Sequence, residues 1–208
     1  MAVVITVAQQ KGGAGKTTLA ANLAAALAPR RRVALLDIDP QHSLARWHAL
    51  RAQRGNAEKI HLSDVSGWRL SGELDRLRQS HDVLIVDSPP QIDTDAKLAV
   101  RVADLVLIPV QPSPPDLWAA EGTLKLAADE KRAARLVLNR APATGKLRQT
   151  VEAEIRRRGA LLLAATLGNR TGFAIAFAQG LGITETAPKS VAAADLRALL
   201  AEIEGIVG

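Results

Sequence analysis

The residues best equipped for chemistry lie in one octapeptide near the start of the chain, Lys11-Gly12-Gly13-Ala14-Gly15-Lys16-Thr17-Thr18. Glycines at this density let consecutive backbone N–H groups converge on phosphate oxygens, because no Cβ obstructs the approach and positive dihedrals carry little penalty. Lys16 has the reach to meet β- and γ-phosphate oxygens, and the Thr17 hydroxyl is a hard oxygen ligand suited to Mg²⁺. The segment from Gly12 to Thr18 is therefore expected to bind the phosphates of ATP with Mg²⁺. Counting back from Gly15-Lys16-Thr17, the usual first glycine of such a loop falls on Gln10, and an additional lysine stands at position 11.

Two apolar runs farther along end in carboxylates. Leu35-Leu36-Asp37-Ile38-Asp39-Pro40-Gln41 puts Asp37 and Asp39 at the carboxyl end of a buried strand, the edge at which open α/β sheets bind ligands. Val83-Leu84-Ile85-Val86-Asp87-Ser88-Pro89-Pro90 has the Walker B form, in which Asp87 would hold Mg²⁺ through its waters. Any of the three could instead cap a helix, and Asp39, followed by Pro40, is the foremost candidate for that. A later strand ends in Asn139-Arg140, where an amide can offer a donor and an acceptor to an adenine edge; a turn-forming Asn is the alternative.

The elements that must position these groups follow from apolar patterning. Uninterrupted apolar runs at 3–7, 33–36, 83–86, 105–110, 135–138 and 161–165 predict strands buried on both faces. Helical spacing recurs at 17–27, 43–54, 68–79, 93–102, 117–128, 146–158 and 190–206. Their alternation predicts an α/β fold: a mostly parallel twisted sheet, doubly wound, with helices on both faces. The octapeptide then sits between the first strand and the first helix, the order that a P-loop requires. At 208 residues the chain suits a single domain, residues 1–208.

Composition removes several classes. Without cysteine there are no disulfides, thiolate metal sites or iron–sulfur ligation, and without tyrosine no tyrosine phosphorylation. No apolar run approaches the roughly 18–20 residues of a spanning helix, and no secretory signal is visible, so a cytoplasmic protein is expected. Lys and Arg outnumber Asp and Glu by 27 to 21, which makes polyanion contact plausible. With two Phe and three Trp, any such contact should run through phosphates rather than base stacking. The candidate clusters are Arg30, Arg31 and Arg32, then Lys131 and Arg132 with Arg135, and foremost Arg156, Arg157 and Arg158. Solvated helix ends complementing the macrodipole are the plainer reading of each.

Lys11-Gly-Gly-Ala-Gly-Lys-Thr resembles the deviant Walker A box of the ParA/MinD family of P-loop ATPases. The resemblance implies ATP sandwiched between two subunits of an ATP-dependent homodimer, with Lys11 crossing to the partner's nucleotide. It also implies that Asp37 lies near the magnesium shell, that Asp39 orients the attacking water, and that Pro40-Gln41 belongs to a switch segment. Asn139 would contact adenine, Arg140 would stack on it, and Pro112, Pro114 and Pro115 would line the base pocket. Absent cysteines, tyrosines and a basic amphipathic C-terminal helix turn the resemblance away from nitrogenase iron protein, bacterial tyrosine kinases and MinD. A phosphate loop starting near residue 10 suits the small ParA type without an N-terminal helix-turn-helix domain.

The leading expectation is a nucleoid-associated, slow ATPase that binds non-specific double-stranded DNA and segregates plasmid or chromosomal DNA with a ParB-like partner. Positioning of a protein cargo, such as a chemotaxis cluster, a carboxysome or a polar complex, would use the same residues. A metabolic P-loop ligase or kinase and an ATP-switched filament are further alternatives, and no membrane partner is expected.

Overall fold

The computed structural model describes residues 2–55, 57, 59–91 and 93–208. Six strands, β1 (Val3–Val7), β2 (Val33–Asp37), β3 (His61–Asp64), β4 (Val83–Asp87), β5 (Leu105–Val110) and β6 (Ala133–Leu138), form one sheet. They run in the order β3-β2-β4-β1-β5-β6, and every pairing is parallel. The central strands are built from Val, Leu and Ile because helices cover both faces. All six residues of β5 are buried.

Alternate strand residues feed opposite layers. Ile5, Val7, Leu35, Ile85 and Leu107 pack beneath α1 (Lys16–Leu27), α2 (Ser43–Ala52), α8 (Ile183–Thr186) and α9 (Val191–Val207). On the other face, Val4, Leu36 and Val86 meet α3 (Leu70–Leu77) and α4 (Thr94–Arg101). Beside them Ile108, Val110 and Leu138 meet α5 (Pro114–Asp129) and α6 (Lys146–Arg157). Among the described residues no helix is long and apolar enough to cross a membrane.

Pro109 inside β5 looks like a breaker, yet its missing N–H costs no ladder bond. Leu107 bonds toward β1, so Pro109, two residues on, faces the gap left where β1 ends at Val7. The Gln9 side-chain amide fills that gap and donates to the Pro109 carbonyl at 3.3 Å.

Three expectations need correction. Residues 161–165 do not form a sixth core strand: the segment touches β6 through the single bridge Leu136–Leu162. The N–H groups of Ala164 and Ala165 turn away to the Glu202 carboxylate on α9. The sixth strand is β3, a polar edge strand in register with β2 from Ala34–His61 to Asp37–Asp64. Finally, the 68–79 helix begins as a 3₁₀ turn at Gly67–Arg69, and α7 (Thr171–Ala178) and α8 appear without having been anticipated.

A buried ion pair joins α2 to α8. Arg51, 3% exposed, forms a bidentate pair with Glu185 at 2.8 and 2.9 Å and lies 5.4 Å from the centre of the fully buried Trp47 ring. Glu185→Ala takes the carboxylate away from that interior guanidinium, which also donates to the Gly180 carbonyl at 3.4 Å, and is expected to lower the unfolding free energy by about 2 kcal/mol. Urea denaturation with an unchanged slope reads the loss directly; a change below about 0.5 kcal/mol would make the pair merely decorative.

Candidate functional site

Where β1 ends, the chain turns through Gly13 (φ +77°) and Gly15 (φ +94°) into α1, with Gly15 as its N-cap residue. No side chain caps α1 and no acidic residue occupies its first turn, so the N–H groups of its N-terminus are left for an anion. Neighbouring strands hold the loop from outside. Asn139, at the end of β6, donates from Nδ2 to the Ala14 carbonyl at 2.8 Å, and Gln111 donates to the Gly13 carbonyl at 3.2 Å. A Cβ at Gly15 would collide with that same Asn139 amide.

The acidic strand ends converge beside the loop. In register, Val7 lies opposite Asp87 and Asp37 lies opposite Asp87 on the other side, so β4 carries its carboxylate between the phosphate loop and β2. Asp87 is fully buried, and its two oxygens accept no hydrogen bond among the described residues. The Thr17 hydroxyl stands beside it and pulls its pKa down without reaching hydrogen-bond geometry. Burial dominates and pushes the pKa up to about 7. Lys16, 7% exposed, has its pKa lowered by burial, against the opposing pull of Asp87 and Asp39. Two carboxylates, Asp87 and Asp39, thus act on one ammonium, and Asp37 adds its charge beside Asp87. An orphaned carboxylate next to a threonine hydroxyl in such a field suits a hard divalent cation, and Mg²⁺ with its waters fits here. When bound, it would neutralise charge on phosphate oxygens.

Asp37 does more local work than expected. Its Oδ1 accepts from the Asp39 N–H at 3.1 Å and its Oδ2 from the Ala45 N–H at 2.9 Å, so Asp37 satisfies a donor in the first turn of α2. The capping that was the alternative for Asp39 falls instead to Asp37. Burial raises the Asp37 pKa, and those two backbone bonds oppose the rise. Asp39, 8% exposed, holds its own turn through a bond from the Gln41 N–H to Oδ1.

Lys11 is paired within its own chain. Its ammonium contacts Asp116, a carboxylate 1% exposed in the first turn of α5. The Ser113 hydroxyl donates to the same Asp116 oxygen at 2.6 Å, and the Gln9 amide reaches the Asp116 carbonyl. Nothing in the local sequence around Asp116 marks it as the lysine's partner, 105 positions away.

On the α1 side of the loop opens a cavity of about 440 Å³ lined by Thr18, Asn22, Asn139, Arg140, Arg170 and Phe173 among others. Asn139 and Arg140 are therefore brought to the same place as the phosphate loop. The Asn139 amide is partly committed, however: besides Ala14 it accepts the Arg140 N–H at 3.0 Å. The prolines are not in the wall. Ser113 caps α5 with Pro114 and Pro115 in its first turn, and Gln111 is the residue from that loop that reaches the cavity. Arg170 and Phe173, at the start of α7, also line the cavity, and sequence reasoning did not single them out for the base side.

The favoured basic cluster stands elsewhere. Arg156, Arg157 and Arg158 end α6, and each is paired: Arg156 with Glu152, Arg157 with Glu154, and Arg158 with Glu154 and Glu121. Arg156 and Arg157 nevertheless remain 70% and 71% exposed.

Comparison with known proteins agrees with this geometry. The CobQ/CobB/MinD/ParA nucleotide binding domain matches residues 5–183. The chain is 30% identical over 205 residues to maintenance of carboxysome distribution protein A of Halothiobacillus neapolitanus, covering 93% of this chain and 92% of that one. It is 35% identical to the Gloeobacter kilaueensis protein of the same name, covering 97% and 94%. The solved ATP complex of a Cyanothece McdA variant superposes with a TM-score of 0.80 at 18% identity, covering 95% of this chain and 96% of that one.

Two outcomes follow from the charges. Asp87→Asn removes a buried, unbonded carboxylate and is expected to raise the stability of the nucleotide-free protein by about 1 kcal/mol. The same change should slow ATP hydrolysis by about two orders of magnitude; parallel thermal melts and phosphate-release assays test both halves. Lys11→Ala leaves Asp116 buried without its cation and should cost about 2 kcal/mol, whereas Lys11→Ala/Asp116→Asn should return to within about 0.5 kcal/mol of the parent. Equal losses in the single and double variants would dismiss the pair as a stabilising contact.

Proposed function

We propose that this chain, which belongs to the CobQ/CobB/MinD/ParA nucleotide-binding family, is an Mg²⁺-dependent ATPase that positions a protein cargo. Residues 1–208 act as one P-loop domain that dimerises on ATP and uses non-specific, nucleoid DNA as its track. The choice of cargo is carried by the near full-length similarity to two carboxysome distribution proteins, at 30% and 35% identity. That similarity favours a proteinaceous cargo and its own adaptor over DNA segregation with a ParB-like protein.

The residues divide the work as follows. The N–H groups from Gly12 to Thr18 and the N-terminus of α1 cradle the phosphates, and Lys16, buried at that helix start, neutralises the β- and γ-oxygens. Thr17 and Asp87 hold the cation, with Asp37 close behind. Asp39 uses one oxygen to fix its own turn and keeps the other for the attacking water. Asn139 and Arg140 receive adenine in the cavity beside α1. Lys11 exchanges Asp116 for a phosphate of the second copy, so closure of the dimer follows the nucleotide.

A first test measures binding to random-sequence duplex DNA with ATP and with ADP across a salt series. Binding is expected with ATP only, to weaken steeply with salt, and to vanish in Lys16→Ala and in Lys11→Ala/Asp116→Asn, the latter chosen to separate switching from stability. Equal binding in both nucleotide states would reduce the charge of +6 to a nonspecific attraction. Deletion in the native host then addresses cargo. Collapse of the spacing of a protein assembly with an unchanged plasmid-loss rate supports positioning, and the converse result restores the segregation reading.

A further inference from the structure

The side of the phosphate loop that carries Lys11 continues onto an apolar surface. Gln10 lies over Gly122 of α5 so closely that a Cβ there would strike its amide. Trp118 precedes Gly122 by four residues, on the same face of the helix, and is 61% exposed. Pro114 and Pro115, also exposed, complete the patch at the first turn of α5. Gln111 links it back to Gly13, and Lys11 is itself bound to Asp116 between the prolines and the tryptophan. The surface is pre-ordered: Ser113 caps the helix, two prolines fix its first turn, and the neighbouring Asp116 and Leu117 are buried. Exposed charges at Glu121 and Lys125 lie beyond it.

We propose that Trp118 is the apolar anchor of the interface between two copies of this chain. The inference rests on the reading that Lys11 reaches the nucleotide of a second copy. For that to happen the second copy's phosphate loop must lie within one lysine side chain of Lys11, and whatever adjoins Lys11 is then covered. The Trp118 patch is what adjoins it. A rigid exposed tryptophan, flanked by prolines and bordered by charge, has the character of an interface hot spot. Trp68 is more exposed, at 72%, but it carries the Arg69 guanidinium 4.6 Å over its ring and has no contact with the phosphate loop among those described, so the same argument does not extend to it.

Sedimentation velocity of the full chain with a non-hydrolysable ATP analogue provides the test. Trp118→Ala is expected to raise the dimer dissociation constant at least about tenfold and Trp118→Phe by much less. Affinity of the monomer for a fluorescent ADP analogue should stay unchanged in both, which excludes misfolding. A second readout uses Trp68→Phe, in which Trp47 is already buried, so acrylamide-quenchable emission reports Trp118. Quenching should fall when the ATP analogue is added and persist with ADP. A Trp118→Ala protein that dimerises at the parent concentration overturns the proposal, as does a Trp118 equally quenched in the dimer. If that variant dimerises normally but loses an adaptor protein, the patch belongs to the adaptor and the proposal falls. A parent chain that stays monomeric with the ATP analogue defeats the dimer reading itself, a result distinct from any Trp118 effect.

Discussion

A fully buried carboxylate at the end of a central strand, whose oxygens accept no hydrogen bond among the described residues, is a costly group to hold, and the arrangement around it explains much of the fold. Asp87 ends β4, which lies between β2 and β1 in the sheet order β3-β2-β4-β1-β5-β6. That position brings Asp37 to one side of it and the phosphate loop to the other. An apolar replacement would fold more easily there. Keeping the charge requires the ammonium of Lys16 close by and a site in which an added cation completes the balance. The parallel order does the placing, since strands running the same way deliver all their carboxyl ends to one edge.

Around this charge cluster, side chains stand in for missing backbone. Gln9 bonds the Pro109 carbonyl where β1 has already left the sheet, Gln111 and Asn139 hold the Gly13 and Ala14 carbonyls, and Asp37 serves the open turn of α2. Each spans the loop region at the end of a strand, where the ladder no longer supplies partners. The consequence is a phosphate loop whose carbonyls are tied down from behind, so that its N–H side is the one presented to a ligand. Such preorganisation places the cost of ordering in folding rather than in binding.

Much of this was legible in the sequence, for identifiable reasons. Strands buried on both faces read as unbroken apolar runs, and five of the six strands were predicted from them, together with the phosphate loop and the three aspartates that the sheet edge gathers. The edge strand β3, His61-Leu62-Ser63-Asp64, has one partner strand and little apolar content, so it left no such run. Residues 161–165 were apolar enough to imitate a strand, but Glu202 took two of their N–H groups from 37 or more positions away. The ion pairs of the basic clusters were only partly legible: Arg158 meets Glu154 within one helical turn, which spacing could have revealed, and Glu121, which spacing could not. Pairings of long sequence separation were the information that patterning lacks.

The pair formed by Lys11 and Asp116 belongs to that unreadable class, and it changes what the extra lysine means. A lysine before two glycines suggests a free cation waiting for a partner's phosphate, yet in this chain it already has a buried counter-ion. Leaving Asp116 exposes the interior to an unanswered charge, partly relieved by the Ser113 hydroxyl and the exposure that Lys11 itself retains. Departure is then favourable only toward a stronger anion, and a triphosphate offers more charge than a diphosphate. Under the proposed dimer the cis pair is a threshold: it would set how much negative charge a second copy must present before the lysine leaves Asp116 in the first turn of α5.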